Sequence, residues 1–258
     1  MKTRKIIKNW WNKGSSYYQD TFSIPFDDLY YGPFCPTEKE LKLINVRTIK
    51  NKKVLELGCG GGQSCIFLAK KGAICSGIDI SENQINYAID LAKKNSVKIK
   101  YHVGSGDNMS IFENNKFDVI LSIFSLQYIE NLRTCLGEIK RILKKNGRFI
   151  FSLDHPFYSI ISPQTMKVDG NYNECGLNEM IKTTDVIKTQ KWHNANSQKF
   201  IYFFRNISEI YNDLVYSGLK VEKIIESVSI KGNSPWNKIY SERLSKNIPP
   251  TIIFVVKK

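Results

Sequence analysis

Apolar residues along this chain follow two alternating patterns, short continuous runs and longer stretches in which they recur every three or four positions. The short runs, which are typical of buried strands, lie at residues 54–57, 73–80, 97–103, 117–122, 147–153, 219–225 and 251–256. Helical spacing follows several of them, and one helical stretch begins with the capping-box sequence Ser81-Glu82-Asn83-Gln84. This alternation predicts an α/β fold with a mostly parallel sheet and helices on both faces.

The most informative segment is a glycine-rich loop behind the first apolar run. Residues 58–62 read Gly-Cys-Gly-Gly-Gly, and a helix is predicted from about Gln63. Glycines let the chain turn sharply and bring backbone N–H groups close to a ligand, and a helix N-terminus favours polar or anionic groups. Asp79 ends the next apolar run, at the carboxyl end of a strand, where an acid can accept hydrogen bonds from both hydroxyls of a ribose. These features predict the nucleotide-binding edge of a parallel sheet.

The spacing of the glycines decides between two kinds of cofactor. A dinucleotide site has the pattern G-x-G-x-x-G/A, but Gln63 stands at its third small position. Glu56, Gly58, Gly60 and Gly62 instead form E-x-G-x-G-x-G, which resembles motif I of the class I S-adenosylmethionine-dependent methyltransferases. The resemblance covers about residues 50–225. It implies S-adenosyl-L-methionine as cofactor, with Glu56 at the base of a loop around its amino-acid end, and a Rossmann-like sheet of seven strands with the last one antiparallel.

Further cofactor contacts are implied where strands end. Ile80 follows Asp79, and Ser122 ends the fourth strand. After the third strand, the family's Gly-Asp can be aligned in two ways, so that either Asp107 or Ser105 approaches the adenine amino group. Asp107 is favoured because a carboxylate is the stronger hydrogen-bond acceptor. A solvated loop acid is the alternative interpretation of Asp107.

Aromatic residues ahead of the first core strand, among them Tyr18 and Tyr31, resemble the N-terminal helical cap that many family members close over the cofactor. The alternative is an arm that packs over the sheet edge. Both tyrosines are therefore predicted to contact the cofactor.

Two segments resemble a subgroup of small-molecule methyltransferases and are predicted to face the transferred methyl group. The segment after strand four supplies Phe124, Gln127 and Tyr128 as acceptor contacts. The segment after strand five supplies His155, whose imidazole could take a proton from the acceptor. The alternative for His155 is a ring that orients a loop through a backbone hydrogen bond, and methyl transfer does not require a base because the sulfonium is already a strong electrophile.

We expect a single methyltransferase domain over residues 1–258. It divides into an N-terminal cap (1–48), a cofactor-binding core (49–156), a lid insertion (157–206) and a C-terminal helix with the last strands (207–258). The insertion is too long for a plain connection, and its Tyr172 and Trp192 are predicted to contact a ring-shaped acceptor. A hydrophobic fraction of 42% suits one compact core. With neither a long apolar run nor a signal-peptide pattern, we expect a cytoplasmic protein without a membrane partner.

The net charge of +14 raises the question of a nucleic-acid partner. The lysines are spread along the whole chain, and doublets such as Lys70-Lys71 lie near predicted helix C-termini, where cations are favourable. A nucleic-acid partner is therefore disfavoured. The six cysteines contain no C-x-x-C pair and the three histidines are scattered, so neither a disulfide framework nor a metal site is predicted.

The resemblance thus implies an S-adenosylmethionine-dependent methyltransferase that acts on an O, N or C nucleophile of a small molecule, in secondary or specialised metabolism. The alternatives are an RNA methyltransferase and a non-catalytic protein that keeps the cofactor fold for binding. The sequence predicts neither the acceptor nor the oligomeric state.

Overall fold

The computed structural model describes residues 2–179 and 201–258. In this part of the chain, seven strands form one sheet and two more form a separate pair. The strands are β1 (Lys53–Leu57), β2 (Ile74–Asp79), β3 (Lys100–Val103), β4 (Phe117–Ile123), β5 (Leu143–Asp154), β6 (Gly176–Glu179), β7 (Ile201–Phe204), β8 (Lys220–Ile225) and β9 (Thr251–Lys257). The large sheet has the order β3-β2-β1-β4-β5-β9-β8, and β9 runs antiparallel to both of its neighbours. The predicted fold class is confirmed.

Helices cover both faces of this sheet. They are α1 (Lys2–Phe22), α2 (Glu38–Leu41), α3 (Gln63–Lys70), α4 (Glu82–Lys94), α5 (Leu132–Ile142), α6 (Pro156–Ser159), α7 (Ile207–Tyr216) and α8 (Glu242–Ser245), with 3-10 turns at Leu126–Tyr128 and Asn237–Ile239. One apolar core joins the sheet to α5 and α7, and a second joins it to α3 and residues 29–49. The central strands β1 and β4 are therefore buried on both sides, which explains why they read as continuous apolar runs.

Two strand boundaries and one helix cap differ from the sequence prediction for identifiable reasons. β3 begins at Lys100 and not at residue 97, because the Val97 N–H still closes α4 by donating to the Ala92 carbonyl. β5 begins at Leu143, four residues early, because Leu143 pairs with Phe117 across a register shift. The capping box is half formed: Ser81 accepts from the Gln84 N–H, but the Gln84 side chain bonds to α1 instead of returning to Ser81.

The region after β5 was predicted to be a lid over residues 157–206. Its described residues form α6 and the β6–β7 pair. Residues 180–200, including Trp192, lie outside the described residues, so the lid stays a prediction. Where the chain is described, none of its helices combines the length and the apolar character needed to cross a bilayer.

Candidate functional site

A cleft with a cavity volume of about 120 Å³ lies at the carboxyl ends of β1, β2 and β4. The glycine loop and Asp79 form its floor, residues 104–107 close one end, and residues 123–125 and 128–130 close the other. Helix α1 and Trp236 cover it from above. Ligands in open α/β sheets bind beyond the carboxyl ends of the strands, so this cleft is the candidate functional site.

The glycine loop is tight on one side and open on the other. The N–H groups of Gly58 and Cys59 donate to the Ile78 carbonyl at 2.8 and 3.1 Å, which holds the loop against β2. Gly58 has a φ of 67°, and a Cβ there would lie 2.2 Å from the Ser125 Cβ. Gly60 has a φ of 50°, but the nearest atom to a Cβ there would be 3.9 Å away. A ligand can therefore approach the backbone at Gly60 closely.

Asp79 ties the glycine loop to the start of α4. Its two carboxylate oxygens accept from the N–H groups of Gly60 and Ser81, each at 2.9 Å. Burial raises the pKa of this carboxyl above its usual range. Each carboxylate oxygen can accept a second hydrogen bond, so the hydroxyls of a ribose would fit here. Ile80 also lines the cleft.

Glu56 lies beneath the loop and is 4% exposed. It lines a side cavity of about 70 Å³, together with the acid Asp28, and this cavity shares Gly58 and Gly60 with the main cleft. Burial raises the pKa of Glu56 to about 7, and its Oε2 has no hydrogen-bond partner among the described residues. A buried acceptor without a partner is costly, so this place favours a donor that carries positive charge.

Asp107 and Ser105, the two alternatives for the adenine end, both line the cleft. The Ser105 hydroxyl donates to Asp107 Oδ1 at 2.6 Å, and Arg4 of α1 forms an ion pair with Oδ2. Ser105 therefore orients the carboxylate that we expect to receive the adenine amino group. Among the described residues that line the cleft, Arg4 is the only cation.

Helix α1 is fastened over the cleft by side-chain amides. Gln19 donates to Gln84 of α4 at 2.8 Å and accepts from Gln63 of α3 at 2.6 Å. Asn12 donates to Glu82 and accepts from the Ser81 hydroxyl. The helix is thus bonded to the N-terminal turns of the two helices that follow the glycine loop and Asp79.

The far end of the cleft is aromatic. The predicted contacts Phe124, Tyr128 and Tyr18 all line it, and so does Trp11, another of the aromatic residues ahead of the first core strand. Trp236 also lines it and was not predicted from the sequence. Trp236 stacks on Phe124 with a centroid distance of 6.2 Å and donates to the Tyr18 hydroxyl at 2.8 Å. Phe124 has a φ of 50°, a backbone conformation that is rare for aromatic residues and concentrated at functional sites.

Several predicted contacts do not line the cleft. Ser122 is fully buried and bonds to Ser125, while Tyr31 is fully buried and donates to Glu38 at 2.7 Å. Tyr172 contacts Phe157 and Phe204, and its hydroxyl accepts from the Ile207 N–H. Gln127 is 7% exposed and lines a separate chamber.

His155 also lies away from the cleft. Its Nδ1 accepts from the Phe157 N–H at 3.1 Å and thereby caps α6, and its Nε2 lies 2.7 Å from Glu226 Oε1. Because Nδ1 accepts, the proton belongs on Nε2, where it is donated to Glu226. Both ring nitrogens are thus engaged. This geometry favours the alternative interpretation, a histidine that orients a loop, and the role of His155 as a base stays a prediction.

Comparisons with known proteins point to one kind of domain. Residues 55–151 match the family described as a methyltransferase domain. An uncharacterised protein of Haemophilus influenzae is 27% identical over 96% of this chain and 98% of its own length. A ubiquinone biosynthesis O-methyltransferase of Pelagibacter ubique is 32% identical, over 62% of this chain and 66% of that protein.

Among solved structures, an S-adenosylmethionine-dependent methyltransferase from Mesorhizobium loti superposes with a TM-score of 0.66. The alignment covers 84% of this chain and 96% of that one at 20% identity, which shows a shared fold.

Proposed function

Since this chain belongs to the class I S-adenosylmethionine-dependent methyltransferases, we propose that it transfers the methyl group to an O, N or C nucleophile of a small molecule bound at the aromatic end of the cleft. The observation that carries the proposal is the enclosure of that end. Trp11, Phe124 and Trp236 come from α1, the β4 loop and the β8–β9 loop, and they meet around one cavity.

The polar groups of the cleft fit the cofactor in order along its length. Asp79 offers acceptors for ribose hydroxyls, Asp107 offers one for the adenine amine, and the side cavity at Glu56 and Asp28 suits the amino-acid end with its ammonium. When bound, the cofactor supplies an electrophilic methyl group next to a positively charged sulfur. The acids around the glycine loop complement that charge, whereas they would repel a pyrophosphate.

What the chain itself contributes is orientation and the exclusion of water. A nucleophile held in line with the methyl group at near-contact distance gains most of the rate enhancement without a base. Helix α1 covers the cleft and the stacked pair Phe124 and Trp236 narrows it, so a flat acceptor would be held between them. The proposal therefore assigns positioning to Phe124, Tyr128 and Trp236 and leaves His155 outside the reaction.

Two measurements test the proposal in sequence. Calorimetry with S-adenosylmethionine, S-adenosylhomocysteine and NADH should show binding of the two sulfur ligands, and tight NADH binding without either would contradict it. A metabolite extract with labelled cofactor should then yield a labelled small molecule. Trp236→Ala should slow its formation by about tenfold or more, while Tyr216→Ala, an aromatic truncation at a 75% exposed site, should not.

An RNA acceptor is the alternative that remains. The salt dependence of acceptor binding distinguishes RNA from a small molecule. Neutralisation of phosphates makes RNA binding fall steeply with salt, whereas binding of a small neutral ring should change little. The sole cation among the described lining residues is paired with Asp107, which favours the small molecule. The assignment to specialised metabolism stays a prediction, since the relatives include enzymes named for ubiquinone biosynthesis.

A further inference from the structure

The main cleft and the side cavity beneath the glycine loop adjoin each other. Asp79 and Asp107 line only the main cleft, whereas Glu56 and Asp28 line only the side cavity. The residues that line both are Tyr18, Gly58, Gly60, Ile123 and Trp236. These shared residues form a junction, and a molecule that extends from one cavity into the other must pass between them.

The cofactor has to cross this junction at its sulfur atom. The proposed function places the ribose at Asp79 in the main cleft and the amino-acid end at Glu56 in the side cavity. The sulfonium links these two parts, because it is bonded to the ribose on one side and to the amino-acid chain on the other. This placement puts the positive sulfur beside Tyr18 and Trp236, the two aromatic residues of the junction.

Tyr18 and Trp236 are held together as one unit, although they lie on α1 and in the β8–β9 loop. The indole N–H of Trp236 donates to the Tyr18 hydroxyl at 2.8 Å. Trp11 packs edge-on to Tyr18 with a centroid distance of 5.3 Å, and Phe124 stacks on Trp236. Burial raises the pKa of Tyr18 to about 12, so its hydroxyl stays neutral. The junction therefore has an aromatic wall that is fixed in place and carries no charge of its own.

The charged residues around the junction leave the sulfonium to this wall. Among the described residues, the side cavity is lined by no Lys, Arg or His, and the one cation of the main cleft, Arg4, pairs with Asp107. A sulfonium has no N–H or O–H, so the nearby acids attract it only through space. An aromatic face attracts such a weakly hydrated cation directly, as it does in binding sites for quaternary ammonium groups.

We propose that Tyr18 and Trp236 recognise the positive charge of the sulfonium and thereby favour S-adenosylmethionine over S-adenosylhomocysteine. In the reaction the methyl group moves to the acceptor, the methyl–sulfur bond breaks and its electron pair stays on sulfur, so the product is a neutral thioether. Loss of the charge removes the attraction to the two rings, which favours release of the product. The inference rests on the cofactor placement of the proposed function and is independent of the acceptor.

Calorimetry on the full chain with both ligands tests the proposal through the ratio of their dissociation constants. Trp236→Leu and Tyr18→Leu should each weaken S-adenosylmethionine binding about three- to tenfold more than S-adenosylhomocysteine binding. Tyr18→Phe keeps the ring and should keep the ratio of the parent protein. Ile123→Ala is the matched control, because Ile123 lines both cavities without an aromatic face, and it should weaken both ligands by similar factors.

Sinefungin distinguishes the charge from the additional methyl group. It carries an ammonium group in place of the methylated sulfur, so it keeps the positive charge and lacks the methyl group. In Trp236→Leu its affinity should fall about three- to tenfold more than that of S-adenosylhomocysteine, as for S-adenosylmethionine. If sinefungin instead behaves like S-adenosylhomocysteine, the ring packs against the methyl group and the inference is overturned.

Parallel losses of S-adenosylmethionine and S-adenosylhomocysteine affinity in the two leucine variants would also overturn the inference. If Trp236→Leu does not fold, Trp236→Phe has a weaker aromatic face and should show a smaller change of the ratio in the same direction, and an unchanged ratio in Trp236→Phe and Tyr18→Leu overturns the inference. Binding of all three ligands with these unchanged ratios would refute the role of the rings and leave the proposed function standing. Failure of the parent protein to bind any of the three would refute both.

Discussion

The two ends of the cleft are built in different ways. At the cofactor end, Glu56, Gly60 and Asp79 lie within one β1–α3–β2 unit. Asp79 is held there by the backbone N–H groups of Gly60 and Ser81. At the acceptor end, Trp11, Phe124 and Trp236 come from segments more than a hundred residues apart and meet only as side chains. A site built from backbone groups restricts residue types within one short segment, so it can be recognised as a sequence motif. A wall built by packing of distant side chains forms no such motif.

The cofactor end should tolerate substitutions least, and we expect the largest effect from Gly58→Ala. The new Cβ would sit at a left-handed φ and 2.2 Å from the Ser125 Cβ. Strain and clash together should cost about 2–4 kcal/mol. If the loop moves to relieve them, this cost corresponds to a loss of about 30- to 700-fold in cofactor affinity. Calorimetry and urea unfolding measure the two effects.

The control for Gly58→Ala lies on α5. A Cβ at Gly137 would meet no atom within 4 Å, so Gly137→Ala should be neutral or stabilise the fold by up to about 1 kcal/mol. If Gly58→Ala binds the cofactor normally, the glycine loop is not the binding element.

Asp79→Ala should weaken S-adenosylmethionine binding by about tenfold or more, because loss of charge-assisted hydrogen bonds costs roughly 1.5–3 kcal/mol. The carboxylate also accepts hydrogen bonds from the N–H groups of Gly60 and Ser81. Asp79→Asn can still accept from one of them, so it should lose less S-adenosylmethionine affinity than Asp79→Ala. Unchanged affinity in a folded Asp79→Ala protein would place the ribose elsewhere.

The contrast between the two ends also explains what the sequence could and could not predict. The sheet, the glycine loop and Asp79 were predictable because strand burial, positive φ and strand-end acids each restrict the residue types strongly. The length of α1 was not, because its buried positions include Gly14, Ser15 and Gln19, whose spacing is helical but whose polarity hides it. Trp236 lies in a polar connection without any motif, and only its packing on Phe124 gives it a role.

Glu56 should make the stability of the cofactor end depend on pH. Its folded pKa of about 7 exceeds the unfolded value of about 4.5, so the folded state binds the proton more tightly. The stabilisation is fully present below pH 4.5 and is lost as pH rises to about 7, by up to about 3 kcal/mol. Urea unfolding of the ligand-free protein at pH 5 and pH 8 should show this loss, and Glu56→Gln should remove it. Parallel pH profiles for the two proteins would contradict the assignment.

The attachment of α1 joins the two ends, and Gln19→Ala measures its strength. Removal of this amide leaves buried Gln84 and Gln63 without partners, at a cost of about 1–2 kcal/mol. We expect roughly five- to tenfold weaker cofactor binding, because the helix that covers the cleft is held less firmly. The exposed neighbour Asp20→Ala on the same helix should bind the cofactor as the parent protein does, and equal affinity in both variants would mean that α1 does not close on the cofactor.

Replacement of His155 should have the smallest effect on catalysis. The size of that effect distinguishes a general base from a histidine that only orients a loop. A general base contributes about 10²–10⁴-fold to the rate, so a catalytic His155 would be costly to lose. In the structure its Nδ1 caps α6, and its Nε2 faces Glu226, which is itself half exposed. His155→Asn keeps an N-cap acceptor for Phe157, so we expect turnover within about threefold of the parent and a loss of stability below about 1 kcal/mol. Single-turnover rates of methyl transfer from the labelled cofactor, measured between pH 6 and 9, distinguish the two roles. A large loss that shifts the pH profile without changing cofactor affinity would return His155 to the reaction and require the acceptor to reach past Tyr128 to it.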